Sequence, residues 1–173
     1  MGDTGLNKQM ALFLAHSAEL ETEAQERYEE LAESMREHRN IPVADFFRRM
    51  VDEAGRHLEE VAELAADMTL PDLKAWEFDW PDAEAPETTS YEALHYRMSL
   101  RQAMQLALDN ERAARAYYSD YADNCEDVET AEVARSFAAE ESSHVAELER
   151  LMAEQPADHP HLWEEDDDPH MPE

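Results

Sequence analysis

Cysteine, glycine and basic residues are all scarce in this chain of 173 residues. The single cysteine, Cys125, excludes a disulfide framework and any metal site built from paired cysteines of one chain. With only three glycines and 43% hydrophobic residues, the composition is typical of a mostly helical protein. The longest apolar runs, such as ALFLA at residues 11–15, are too short to span a bilayer.

The shortage of basic residues leaves a strongly acidic chain. It has 14 Lys and Arg against 43 Asp and Glu, which gives a formal net charge of −29. A surface of this sign repels nucleic-acid phosphates and anionic membranes, and it attracts cations. We therefore expect neither nucleic acid nor a membrane as a partner. The N-terminal residues lack the basic start and apolar run of a secretory signal, which favours a cytoplasmic location.

Apolar residues recur with the period of an α-helix along four segments, and none of these segments alternates as a strand does. The predicted helices span about residues 6–38, 43–68, 90–123 and 128–154, with Ser90 as the N-cap of the third. Short turns join the first helix to the second and the third to the fourth, so each pair should form an antiparallel hairpin. The prediction is an all-α four-helix bundle.

The connection between the second and third helices is unusually long. Residues 69–89 contain three prolines and the aromatic residues Trp76, Phe78 and Trp80. We interpret this segment as a crossover that lets two hairpins pack into one bundle, which spans residues 1–154. Apolar surface beyond the core of one bundle predicts a homodimer with Trp76 or Trp80 at or near the contact. Residues 155–173, rich in proline and acid, are predicted to form a disordered tail.

The two hairpins repeat a short motif. ETEAQERY in the first helix and ERAARAYY in the third both read Glu-x-x-Ala-x-x-x-Tyr, beginning at Glu21 and Glu111. Each motif is followed by a helix with a histidine on its inward stripe, His57 or His144. The matched spacing indicates a duplicated hairpin, with the two halves related by a pseudo-twofold axis.

Carboxylates and imidazoles occupy positions that should face the core. In FAAEESSHVAEL, residues 137–148, Glu141 and His144 share a helical stripe with Phe137 and Val145. Unpaired buried carboxylates are costly and repel one another, and bound divalent cations remove that cost. Oxygen and imidazole donors without thiolate suit iron or manganese, with zinc an open alternative. The other alternative is a bundle whose inward acids bind nothing. The predicted ligands are Glu21, His57, Glu111, Glu141 and His144.

With these motifs, the chain resembles the rubrerythrin group of the ferritin-like di-iron superfamily. ETEAQERY is similar to the first-helix Glu motif of that group, NERAARAYY to its third-helix counterpart, and FAAEESSH to its fourth-helix Glu-x-x-His. The resemblance covers about residues 6–154. It implies a ferritin-like bundle that holds two iron ions and carries out redox chemistry with dioxygen or hydrogen peroxide.

The chain departs from the family pattern in three ways. One cysteine cannot form the rubredoxin-type iron site of true rubrerythrins, so an enzyme of this sequence needs an external electron donor. Ala114 replaces an extra Glu one turn after the third-helix ligand. In FFRRMVDEAGRH of the second helix, Ala54 replaces the ligand Glu three residues before His57. Glu53, four residues before His57, is a candidate substitute ligand, because this spacing also faces one side of a helix.

Three functions are compatible with these residues. The first is an oxidase or peroxidase in oxidative stress or iron metabolism, with Tyr28 and Tyr118 hydrogen-bonded to the ligand carboxylates. The second is iron handling of the ferroxidase type, in which oxidised iron passes to a store. The third is a degenerate family member that binds one metal ion, or zinc, without turnover. The absence of a Glu at position 54 favours the second and third functions over the first.

Overall fold

Four α-helices make up the fold in the computed structural model, which describes residues 4–73 and 96–156. They are α1 (Thr4–Glu37), α2 (Ile41–Leu64), α3 (Leu100–Asn124) and α4 (Val128–Ala153). These two ranges contain no strand, and none of their helices is long and apolar enough to cross a membrane. The predicted all-α class is confirmed.

Helices that follow each other in sequence pack as two hairpins, α1 with α2 and α3 with α4. The hairpins meet through α2 against α3 and α1 against α4, so the four helices form a ring around a shared core. This is the predicted four-helix bundle. The aromatic residues Trp76, Phe78 and Trp80, most of the crossover and residues 157–173 lie outside the described ranges, so the crossover, the dimer contact and the tail stay predictions.

Two predicted helix boundaries are wrong. A third helix running unbroken from Ser90 is ruled out, because residues 97–99 are not helical and a capping box starts α3 at Leu100. In this box the Ser99 hydroxyl accepts from the Gln102 backbone N–H, and the Gln102 side chain accepts from the Ser99 N–H. The second helix ends at Leu64 instead of Met68, although Met68 still packs on the core and so continues the apolar pattern.

The core has two apolar layers that meet near the middle of the helices. One layer contains Tyr28, Phe47 and Leu148, and the other contains Phe13 and Tyr118. Along each helix, every inward-facing carboxylate or histidine is flanked on one side by a residue of the first layer and on the other side by a residue of the second. These polar residues therefore lie where the two layers meet. The bundle therefore holds its polar residues between two layers that exclude water.

Candidate metal centre

Three glutamates are buried at the junction of the two layers, one each from α1, α3 and α4. They are Glu21, Glu111 and Glu141, and Glu141 is only 1% exposed. The half-buried His57 of α2 and His144 of α4 lie beside them, with ring centroids 4.9 Å apart. The structure thus brings together all five donors that the helical register predicted to face inward.

The donors form two triads that share one carboxylate. His57 Nδ1 lies 3.1 Å from Glu21 Oε1 and 3.2 Å from Glu141 Oε1. His144 Nδ1 lies 3.5 Å from Glu111 Oε2 and 3.6 Å from Glu141 Oε2. Each triad contains one histidine, one glutamate from α1 or α3, and one oxygen of Glu141. The Glu141 carboxylate is therefore placed as a bridge between two equivalent positions.

The distances and the unpaired atoms fit bound metal ions. Two donors bound to one ion at about 2.1 Å lie about 3.0–3.4 Å apart, close to the separations within each triad. Ligand atoms of His57, Glu141 and His144 all lie within 4.8 Å of one another. Glu141 Oε2 is buried and makes no hydrogen bond among the described residues, because its contact with His144 Nδ1 is 3.6 Å long, and a bound metal ion would satisfy this oxygen. The residues present therefore suit a divalent metal.

Without metal, the cluster binds protons. Burial lowers the pKa of His57, but its contacts with Glu141 and Glu21 raise it overall to about 11. Contacts with Glu111 and Glu141 raise the pKa of His144 to about 10. Burial opposes ionisation of Glu141, yet its interactions with Glu111, His144 and His57 leave its pKa below the ordinary range. Burial raises the pKa values of Glu21 and Glu111. The two imidazolium ions hold the positive charge that a metal would replace.

Metal loading at neutral pH should release protons, because a histidine must lose its proton to bind a metal ion. We expect about two protons per chain from His57 and His144, and further protons from the glutamates. Since both histidine pKa values are raised far above neutral, apparent metal affinity should increase as the pH rises from about 6 to about 8. Calorimetric titrations in buffers of different ionisation enthalpy measure this release. Tight metal binding with no proton release would contradict the charge assignment.

The two predicted tyrosines differ in their hydrogen bonds. The Tyr118 hydroxyl donates to Glu21 Oε1 over 3.3 Å, as expected for a residue that orients a ligand carboxylate. The hydroxyl of Tyr28, its counterpart in the other half, instead accepts from Asn110 Nδ2 over 2.9 Å. Among the described residues, Tyr28 has no hydrogen bond to a ligand carboxylate. Asn110 was missed in the sequence, although a polar residue beside Glu111 on the inward side of α3 was an available signal.

A central cavity of about 20 Å³ lies among the donors, which is room for about one water molecule. Its wall includes Ala54 and Ala114, the two positions where the family pattern has Glu. A wider cavity of about 360 Å³ adjoins it on the histidine side. Glu53 lines both cavities, but it belongs to neither triad: its side chain is 21% exposed and lies 3.9 Å from Arg56. The residues lining the wider cavity are Glu53, Arg56, His57, Glu60, Glu140 and His144.

Comparisons with known proteins agree with the fold. The family model described as Rubrerythrin matches residues 13–155, which include all five donors. The fold is similar to a crystal structure of an uncharacterised conserved protein from Magnetospirillum magnetotacticum MS-1, with a TM-score of 0.69 and 37% sequence identity. That match covers 86% of this chain and 97% of the other. No curated protein matches the chain significantly.

Proposed function

This chain belongs to the rubrerythrin family, and from that membership we propose that its central cluster binds two iron ions and reduces dioxygen or hydrogen peroxide. Manganese or zinc in the same site is the alternative for the metal, since no thiolate is present to restrict the choice. The 173 residues hold one cysteine, too few for a rubredoxin-type site. Electrons for turnover therefore come from an external donor.

The shared carboxylate of Glu141 is the observation that supports two ions over one. Its two oxygens lie beside different histidines, and each histidine also has its own glutamate, Glu21 or Glu111. With a single ion, the carboxylates of the other triad would be paired only with the proton on their histidine. Two divalent ions give each triad a cation and give both Glu141 oxygens a partner.

The protein residues have separate tasks in this proposal. When bound, iron supplies the redox change and the electrons for the oxygen substrate. Glu141 would bind both ions through its two oxygens, and the histidines lie on the side that adjoins the wider cavity. Tyr118 fixes the orientation of Glu21 through its hydrogen bond. The apolar layers above and below exclude bulk water, and the wider cavity gives small molecules access.

A second candidate is a family member that binds one metal ion, or zinc, without turnover. The close grouping of His57, Glu141 and His144 favours it, because these three alone suffice for a single ion. Ala54 also favours it, because this buried position lines the cavity and offers no carboxylate. The third candidate is iron handling. In this function the same residues would bind ferrous ion as a substrate, and the ferric product would be passed on.

Anaerobic loading with ferrous ion, followed by air or hydrogen peroxide, separates these functions. We expect uptake of two ions per chain, oxidation on mixing, and repeated turnover when a chemical reductant is supplied. The measurements are metal content, the absorbance of ferric centres and consumption of the oxidant. Ferric iron that accumulates without turnover would support handling. Uptake of one ion with no oxidation would support the degenerate form. Zinc-loaded protein, which is redox-inert, is the control for peroxide loss.

A further inference from the structure

Asn110 presents an unused hydrogen-bond acceptor in the core. Its side chain is 7% exposed, and it stands on α3 directly before Glu111 in the wall of the central cavity. Asn110 Nδ2 donates to Tyr28 Oη, but Oδ1 is buried and has no hydrogen-bond partner in the described part of the chain. A buried carbonyl oxygen without a donor is destabilising. A ligand that brings a proton would satisfy this acceptor.

Tyr28 adds a donor to the same wall. Because Asn110 Nδ2 donates to its oxygen, the hydroxyl proton of Tyr28 is not used in that bond. Tyr28 also lines the central cavity, which has room for about one water-sized group. Both residues line this cavity, so a ligand bound between them would meet an acceptor, Asn110 Oδ1, and a donor, the Tyr28 hydroxyl.

The other half of the bundle shows that the fold does not need this pair. Leu20 stands directly before Glu21, as Asn110 stands directly before Glu111. Leu20 also lines the cavity, so an apolar side chain serves at the equivalent position. The tyrosine of the α3 motif, Tyr118, donates to the carboxylate of Glu21 instead of bonding an amide. The donor and acceptor pair is therefore a feature of one side of the centre.

We propose that Asn110 and Tyr28 form a subsite for one small oxygen ligand that carries a proton, either water or hydrogen peroxide. Such a ligand donates to Asn110 Oδ1 and accepts from the Tyr28 hydroxyl. Dioxygen has no proton to donate, so it gains nothing from Asn110. The inference rests on the proposed function only in taking hydrogen peroxide as a reactant of the centre. It assigns Asn110 as a residue that discriminates between the two oxidants.

Asn110→Leu tests the subsite, because it copies Leu20 at the equivalent position. The variant removes the unpaired Oδ1 atom but also the donor to the buried Tyr28 hydroxyl, so the double variant Asn110→Leu/Tyr28→Phe, which removes both polar groups, accompanies it, and thermal unfolding checks that both fold. Crystal structures of the metal-free and zinc-loaded wild type should contain an ordered water bonded to Asn110 Oδ1 and Tyr28 Oη. The variant should lack it. An Oδ1 atom that is dry or bonded to a protein group in both wild-type structures would overturn the proposal.

Single-turnover oxidation of ferrous-loaded protein identifies the ligand. If peroxide is the ligand, Asn110→Leu should slow its reaction about tenfold and leave the dioxygen reaction within about twofold, with Tyr28→Phe acting in the same direction. An unchanged peroxide rate with the ordered water present assigns the subsite to water. Equal slowing by both oxidants would overturn the proposal. If the wild type takes up no iron, the proposed function fails, and the metal-free crystal structures still decide whether the subsite exists.

Discussion

Replacing Glu141 with Gln is expected to abolish metal binding at the proposed two-metal centre. The substitution keeps the size of the side chain and removes the charge and the donor strength of the carboxylate that, among the described residues, pairs with both histidines. Loss of a residue in the outer shell of a metal site weakens binding by about 10- to 100-fold. A shared direct ligand should matter more, so we expect the affinity for both ions to fall by about 100-fold or more.

The same substitution should also destabilise the metal-free protein. Glu141 lies between two histidines whose raised pKa values make them cationic at neutral pH, and its loss removes a buried partner of each. We expect the free energy of unfolding to fall by about 3 kcal/mol, as for other broken buried ion pairs. Circular dichroism and chemical unfolding measure the fold and its stability, and anaerobic titration measures metal uptake.

Glu149→Gln is the matched control, because it makes the same chemical change on the outer face of α4. Glu149 is exposed and pairs with Arg112 across the surface. Exposed pairs contribute about 0–1 kcal/mol, so this variant should bind metal as the wild type does. Wild-type affinity and stoichiometry in a folded Glu141→Gln protein would show that Glu141 is not a ligand of either ion.

Ala54→Glu is expected to strengthen metal binding, in contrast to Glu141→Gln. Ala54 stands three residues before His57, as Glu141 stands three residues before His144, and it lines the central cavity. A glutamate there would supply a fourth carboxylate to the cluster. We expect metal affinity to rise by at least about tenfold, because a direct ligand should change the affinity at least as much as an outer-shell residue does. Oxidation of bound ferrous ion should become faster.

The gain in metal binding should be accompanied by a loss of stability in the metal-free state. Ala54 is buried, and an additional acid in a core that already holds three would be repelled or would remain protonated. The free energy of unfolding without metal should fall by about 1–3 kcal/mol, and metal should restore it. Unfolding measured with and without metal tests both halves of this expectation.

Glu53→Ala is the companion variant for the same position. Glu53 lines the central cavity but lies near Arg56, so its side chain must move inward if it is to substitute for the missing carboxylate. We expect its removal to weaken metal binding. Equal stoichiometry and affinity in the wild type, Ala54→Glu and Glu53→Ala would show that α2 contributes only His57 and that both residues are irrelevant to the metal.

The helices and their inward faces could be predicted because helical periodicity is a local property of the sequence. The fourth helix was predicted at residues 128–154 and spans Val128–Ala153, with the Asp127 side chain accepting from the Thr130 N–H at its start. The start of α3 was missed although the capping box Ser99–Gln102 is visible in the sequence. The end of α2 was missed because apolar residues beyond Leu64, such as Met68, still pack on the core and so extend the helical periodicity of the sequence into the following turn.

The members of the candidate metal cluster were predictable, but their arrangement was not. A buried carboxylate is costly unless a partner compensates its charge. Acids and histidines that face inward in the helical pattern can therefore be expected to lie together. That Glu141 gives one oxygen to each histidine depends on side-chain conformations, which the sequence pattern does not contain. The same is true of the unpaired Asn110 oxygen and of Glu53, whose side chain lies near Arg56.

The most direct measurement is anomalous diffraction at the iron edge from crystals of anaerobically iron-loaded protein. The proposal of a di-iron centre predicts two anomalous peaks per chain on either side of the Glu141 carboxylate. One peak should lie beside Glu21 and His57, and the other beside Glu111 and His144. A single peak shared by His57, Glu141 and His144, or no peak in this cluster, would contradict it.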